Sequence, residues 1–96
     1  MWDQIGQLYA YLGDVPPEAR LLKLTEEVGE VAEAYLSMQG LNRRKGVCRT
    51  RDDLLAELGD VIITAAIAMT GVTGDLEEAK GHLERRLAVV TARAGL

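Results

Sequence analysis

Glu26-Glu27-Val28-Gly29-Glu30-Val31, answered by Glu57-Leu58-Gly59-Asp60-Val61, decides the fold of this chain of 96 residues. Each stretch lies inside a helical apolar pattern. At 100° per residue, Leu24, Val28, Val31 and Tyr35 form one stripe, with Leu21 and Ala32 on its edge. Leu54, Leu58, Val61 and Ala65 form a matching one. Glu27 borders the first stripe, Glu30 sits one turn further on, and Glu26 one turn before Glu30. The three share an arc of about 100° on one flank. Glu57 and Asp60 hold the equivalent flank of the second stripe. The chain thus reads as an internal quasi-repeat of two helices. Packed antiparallel through their stripes, the two acid pairs face one another and close a four-carboxylate cage.

Like charges one turn apart cost a helix roughly 0.2–0.5 kcal/mol per pair. A cation would offset that repulsion. All the ligands would be hard oxygens, so Mg²⁺, Mn²⁺ or Ca²⁺ is favoured over zinc. His82 and Cys48 stand alone and cannot build a zinc site. A di-iron bundle needs Glu-x-x-His on two helices, and the chain has none. Mg²⁺ commonly shares its positions with substrate phosphates, which points to phosphate chemistry. The competing reading is a solvated acidic flank, salt-bridged to Lys23 or Arg20. Two matched pairs at equivalent helical positions favour the site.

Glu26-Glu27-x-x-Glu30, a spacer over 31–56, then Glu57-x-x-Asp60, resembles the signature of the MazG-like nucleotide pyrophosphohydrolases. These belong to the all-α NTP pyrophosphatase superfamily, with the dimeric dUTPases and the phosphoribosyl-ATP pyrophosphohydrolases. The resemblance spans roughly residues 20–70 and, more weakly, the last helix. It implies an all-α, four-helix bundle-like MazG fold over a single domain, 1–96, with helices two and three antiparallel. It implies Glu27, Glu30, Glu57 and Asp60 as ligands of one Mg²⁺, with Mn²⁺ as a possible substitute. Glu26 would help hold a second ion or orient the attacking water, completing a catalytic set of five acids. The reaction implied is cleavage of a (d)NTP between the α and β phosphates to (d)NMP and pyrophosphate, in keeping the nucleotide pool clean. It also implies a homodimer or a dimer of dimers. Two alternatives stay open: a catalytically weak nucleotide-binding or regulatory partner, and a phosphoribosyl-ATP pyrophosphohydrolase-like enzyme.

Candidate phosphate-holding groups lie elsewhere. Segment 42–51 carries five of the eleven basic residues, and Arg43, Arg44 and Lys45 are taken as a group. Lys23 lies beside the acids. His82-Leu83-Glu84-Arg85-Arg86-Leu87 resembles the Lys-Phe-x-Arg-Arg-Phe stretch late in MazG domains, with His82 and Lys80 departing from the family's Lys and Asn. Its implied contacts are His82, Arg85 and Arg86; a surface face paired with Glu84 or Glu78 is the competing reading. Trp2 is a candidate for stacking on a base, with core or dimer interface as the competing reading, and Tyr35 reads as core.

A net charge of −4 and a pI near 4.9 speak against a nucleic-acid scaffold, though not against a free nucleotide held through metal. The longest apolar run, Val61 to Met69, is half the length of a membrane span, and no membrane role is expected. The N-terminus lacks the basic and apolar regions of a signal peptide. The single Cys fits a reducing cytoplasm.

Four helices and no strand are expected: 2–12, about Pro17 to about Met38, a third beginning at a Thr50 or Asp52 cap and reaching about Thr70, and a fourth capped by Asp75 and reaching about Ala92. Gly71-Val72-Thr73-Gly74 reads as a turn. Gly29 and Gly59 each cost a helix roughly 0.8–1.0 kcal/mol against alanine, which close approach of another helix would explain. That helix belongs to a second subunit, or is the fourth helix of the same chain. Val61 to Met69 is apolar nearly all round, which predicts burial on two sides.

Overall fold

Thr50 fixes where the second acid helix begins. Its Oγ1 accepts from the Asp53 N–H at 3.2 Å, and its own N–H donates to Asp53 Oδ2 at 2.8 Å, a reciprocal capping box. In the computed structural model, which describes residues 1–41 and 49–96, four helices and no strand are found among the described residues. They are α1 (Trp2–Leu12), α2 (Pro17–Met38), α3 (Arg51–Thr73) and α4 (Leu76–Arg93). Each boundary has a local cause. Gly13, at φ 76°, ends α1, and Pro17 opens α2 in a first turn where its missing N–H costs nothing. Gly40, at φ 71°, closes α2, with the Leu41 N–H donating to the Leu36 carbonyl at 2.9 Å. Asp75 caps α4 by accepting from the Glu78 N–H at 3.1 Å.

The expected turn at Gly71-Val72-Thr73-Gly74 is corrected: Gly71 to Thr73 remain helical, and only Gly74, at φ 75°, is left-handed. Gly71 is required for another reason. A Cβ there would lie 3.0 Å from the Arg20 Cδ, so the missing side chain lets α2 approach.

Helices α2 and α3 make the main packing pair. Arg20 meets Gly71, Glu27 meets Glu57 and Asp60, and Glu33 meets Arg49, so rising numbers on α2 match falling numbers on α3. The pair is therefore antiparallel. The side of α2 that enters the seam was not the one expected. Val28 and Tyr35, assigned to the core stripe, are each about half exposed, as is Leu58 on α3. Arg20, Glu27, Ala34 and Ser37 are buried instead. Arg20, Glu27 and Ala34 fall at seven-residue spacing on one face, so the helix is rotated to bring its acidic flank inward.

The apolar core lies at the other end of α3. Ile5, Ala66 and Ile67 form it, with Trp2, Tyr9 and Leu76 against it. Beyond Ala79, α4 buries nothing, and Leu83, Leu87 and Val90 stay exposed. Ile62 is 58% and Ile63 37% exposed, so burial of α3 on two sides is not achieved within one protomer. The radius of gyration is 16.0 Å, against about 12.5 Å for a typical domain of this length. Among the described residues nothing lies within 4 Å of a Cβ built at Gly29 or Gly59, so α4 of the same chain does not explain them. By length and composition α3 could also cross a membrane, with a mean hydropathy of 1.6 over 18 residues, 22% of that window buried. The expectation rested on the stretch Val61 to Met69, whereas this criterion averages over 18 residues, and the core helix of a soluble protein meets it too.

Candidate metal centre

The rotation of α2 carries Glu27 into the seam at 8% exposure, opposite Glu57 and Asp60, which lie one turn apart on α3. One carboxylate oxygen from each of the three lies within 4.8 Å of the other two. Oxygens on opposite sides of one ion stand about 4.1 Å apart for Mg²⁺ and about 5 Å for Ca²⁺, so a small side-chain adjustment would gather all three.

Glu27 is buried, Glu57 part-buried and Asp60 exposed, and the first two each have one oxygen paired and one not. Glu27 Oε1 meets Lys23 Nζ at 3.3 Å, while its Oε2 is buried with no hydrogen-bond partner among the described residues. Glu57 Oε1 meets Arg49 Nη1 at 3.5 Å, and its Oε2 is equally orphaned. A buried acceptor without a donor costs roughly 1–3 kcal/mol, and more when charged. An unpartnered carboxylate oxygen on each of two facing acids leaves acceptor capacity that a cation could take up.

Glu30 stands at the edge of this group. The Glu27 charge is the main influence raising its carboxyl above the ordinary range, with burial, and then the Glu57 charge and hydrogen bond, adding to it. Glu30 therefore feels the cluster as a fourth acid. Glu26 is more open and engages Lys23 Nζ at 3.2 Å. That ammonium is held above its usual value, chiefly by its hydrogen bond to Glu26 and then by Glu27. Of the two cations expected against the acids, Lys23 is there. Arg20 instead donates through Nη2 to the Gly13 carbonyl at 2.8 Å and lies over the Tyr9 ring at 4.8 Å.

Comparison of the chain with family models, with curated proteins and with solved structures finds no match. Assignment of the site therefore rests on its geometry.

The other expected phosphate contacts are dispersed. Arg43, Arg44 and Lys45 lie outside the described residues. His82 sits 3.9 Å from Glu78 Oε1 and borders a groove formed by Leu21, Leu24, Met69 and Val72. Arg85 folds back over Gly81 of its own helix, and Arg86 is exposed. Helix α4 packs on α3 and α1 and not on α2, so these groups belong to a different face from Glu27. Trp2 joins the apolar core rather than an open slot.

Two residues at the seam were missed. Arg49 reaches both Glu57 and, at 3.9 Å, Glu33. The signal was its place just before the Thr50 cap, two helical turns ahead of Glu57. Arg20 was read only as a counterion. Its spacing of seven from Glu27 put it on the same face.

Proposed function

We propose that this chain is a metal-dependent nucleoside triphosphate pyrophosphohydrolase of the MazG-like kind. It would convert an NTP or dNTP and water to the monophosphate and pyrophosphate. The observation that carries the proposal is the convergence of Glu27, Glu57 and Asp60, with one buried carboxylate oxygen on each of Glu27 and Glu57 that has no partner among the described residues. Glu27, Glu57 and Asp60, with Glu30 beside them, would hold Mg²⁺ or Mn²⁺. The metal supplies charge neutralisation at the phosphates and lowers the cost of attack by water.

The chain's own groups have separable tasks. The acids fix the position of the α phosphate and of a water in line with the bond to be broken. Glu26 orients that water. The water oxygen bonds to the α phosphorus and releases a proton to solvent, the bond from that phosphorus to the α–β bridging oxygen breaks, and pyrophosphate departs with the electron pair. Lys23 bridges Glu26 and Glu27 in the free protein, and a phosphate oxygen would take over its ammonium. Arg49 neutralises Glu57 from the opposite end of the seam.

The working form in this proposal is a cytoplasmic homodimer. Support comes from the exposed apolar face that includes Val28, Leu58 and Ile62, from the open glycines, and from the expanded protomer.

The test is incubation of the purified protein with a panel of NTPs and dNTPs plus Mg²⁺ or Mn²⁺, quantifying monophosphate and pyrophosphate. Equal release of both, abolished by chelation, is the expected result. Orthophosphate alone assigns a different scissile bond. No product from any nucleotide removes the enzymatic reading.

A further inference from the structure

One turn along the same seam from Glu27, away from Glu30, lies a cavity of about 350 Å³. Leu12, Val15 and Ala19 contribute apolar wall, Thr64 and Ile67 come from α3, and Arg20 and Lys23 supply the charged groups. Its size falls at the low end for small-molecule sites, which combine an apolar lining with a few placed polar groups. The cavity is continuous with the acids through Lys23, which lines it and contacts Glu27 Oε1 at 3.3 Å. Thr64 stands one turn beyond Asp60 on α3, so both helices run from the carboxylates into the cavity wall.

Arg20 is an unusual lining residue. It is 6% exposed, and no acid pairs with it among the described residues. One amino group donates to the Gly13 carbonyl, the Tyr9 ring lies against it, and its Nε is buried with no hydrogen-bond partner among the described residues. A guanidinium has five donors and no acceptor. It is fixed at one place and left short of acceptors. It sits seven residues from Glu27, about 10.5 Å along the helix axis, with Lys23 between them.

We infer that this cavity is the base subsite of the nucleotide whose phosphates the acids hold, and that Arg20 selects bases with a keto group on the edge remote from the sugar. The inference rests on the proposed nucleotide chemistry of the acid cluster. A nucleotide with its phosphates at Glu27, Glu57 and Asp60 directs its base past Lys23 and towards Arg20. Uracil and thymine then present O4, and guanine O6, to a donor. Cytosine and adenine present an amino group, a donor facing a donor. Such a mismatch leaves two buried polar groups unpaired, which discriminates far more strongly than a missing apolar contact.

Binding of UMP and of CMP, which differ at that edge, is measured by calorimetry with Mg²⁺ present, and kcat/KM is measured for UTP and CTP. The expected result is UMP and UTP favoured about tenfold or more, the range of one hydrogen bond to a charged group. In Arg20→Met both ratios fall towards one, while the Mg²⁺-dependent thermal shift stays. A merely structural arginine would weaken both bases alike and leave the ratios unchanged. Equal binding of UMP and CMP by the wild type, or no binding of either, overturns the inference. UMP preference without hydrolysis of any triphosphate removes the pyrophosphohydrolase reading and leaves the base subsite standing. Where circular dichroism shows Arg20→Met unfolded, Ala19→Leu decides. This exposed α2 position fills the cavity from its wall. Lost UMP binding with a retained Mg²⁺ shift supports the subsite, and unchanged UMP binding overturns it.

Discussion

Replacing Glu27 by Gln should make the metal-free protein more stable and the metal-loaded protein less so. One carboxylate oxygen of Glu27 and one of Glu57 lie within 4.8 Å, and each acid has a buried oxygen with no partner among the described residues. At an effective dielectric constant of about 20, two unit charges at that distance repel by about 3.5 kcal/mol. Glu27→Gln removes that term and offers an amide N–H₂ to Glu57 Oε2. It also loses the Lys23 contact, which is solvent-facing and worth little. The net gain for the apo protein is about 1–2 kcal/mol, or roughly 5–15 °C in Tm for a domain of this size.

With metal the order reverses. An ion present at a hundred times its Kd stabilises the wild type by about 2.7 kcal/mol, a further rise of roughly 10–20 °C. Glu27→Gln should show almost none of that rise and no turnover. The assay is thermal unfolding followed by circular dichroism, in chelator and then across a Mg²⁺ or Mn²⁺ titration. Two results would refute the reasoning. A lower apo Tm in Glu27→Gln would mean the carboxylate is satisfied in the free protein. Equal metal-dependent shifts in variant and wild type would mean the ion binds elsewhere.

Thr50→Ala should lower Tm at neutral pH by roughly 4–8 °C through loss of the α3 cap. The Asp53 carboxyl is held below its ordinary value of 3.8, first by the Thr50 backbone N–H and then by its hydroxyl. Stability from a lowered carboxyl is present above the unfolded value and lost as pH falls through the folded one, so the gap between variant and wild type should narrow below about pH 3.8. Light scattering should find the wild type dimeric and Ile62→Glu monomeric, since Ile62 is 58% exposed on the α3 apolar face; two dimers would place the interface elsewhere. In an isolated protomer, Gly29→Ala and Gly59→Ala should each stabilise by roughly 0.8–1.0 kcal/mol, because nothing lies within 4 Å of the added methyl. If the subunits meet there, the same changes weaken the dimer, so dilution from micromolar to nanomolar concentration separates the cases.

The helices were legible because their ends are chemical. Pro17, the Thr50–Asp53 pair, Gly74 and Asp75 each act within a few residues, where sequence spacing is spatial spacing. Gly71 misled for the converse reason. Glycine before a second glycine reads as a turn, yet its cause is an arginine fifty-one residues away in sequence. The acid positions were legible through their repeat, but the orientation of α2 was not. Hydrophobicity assigns Leu24, Val28, Val31 and Tyr35 to the inner face; Leu24 and Val31 are part-buried there beside Arg20, Glu27 and Ala34, whereas Val28 and Tyr35 turn outward. Apolar periodicity reports which face is dry. It does not say whether the dry face meets its own chain or another.

That distinction joins the acid seam to the exposed surface. A chain that holds a buried Glu27, a part-buried Glu57 and an Arg20 with no acid partner among the described residues between its two longest helices gains little from that seam alone. Its compact apolar cluster, centred on Ile5, Ala66 and Ile67, sits at one end and cannot hold the other closed. Val28, Leu58 and Ile62 lie outside, where burial of each would contribute roughly 1.5–3 kcal/mol. The two deficits have one remedy. On the proposed reading, a second copy covering the outer faces would press α2 and α3 together from behind, and a cation and nucleotide entering the seam would supply partners for its charges. Stability is then linked to ligand and to subunit concentration at once. The midpoint of thermal unfolding should rise with protein concentration in the absence of metal, and this dependence should persist in Glu27→Gln, where the seam no longer binds an ion. Concentration-independent unfolding in both would break the link between the outer faces and the seam.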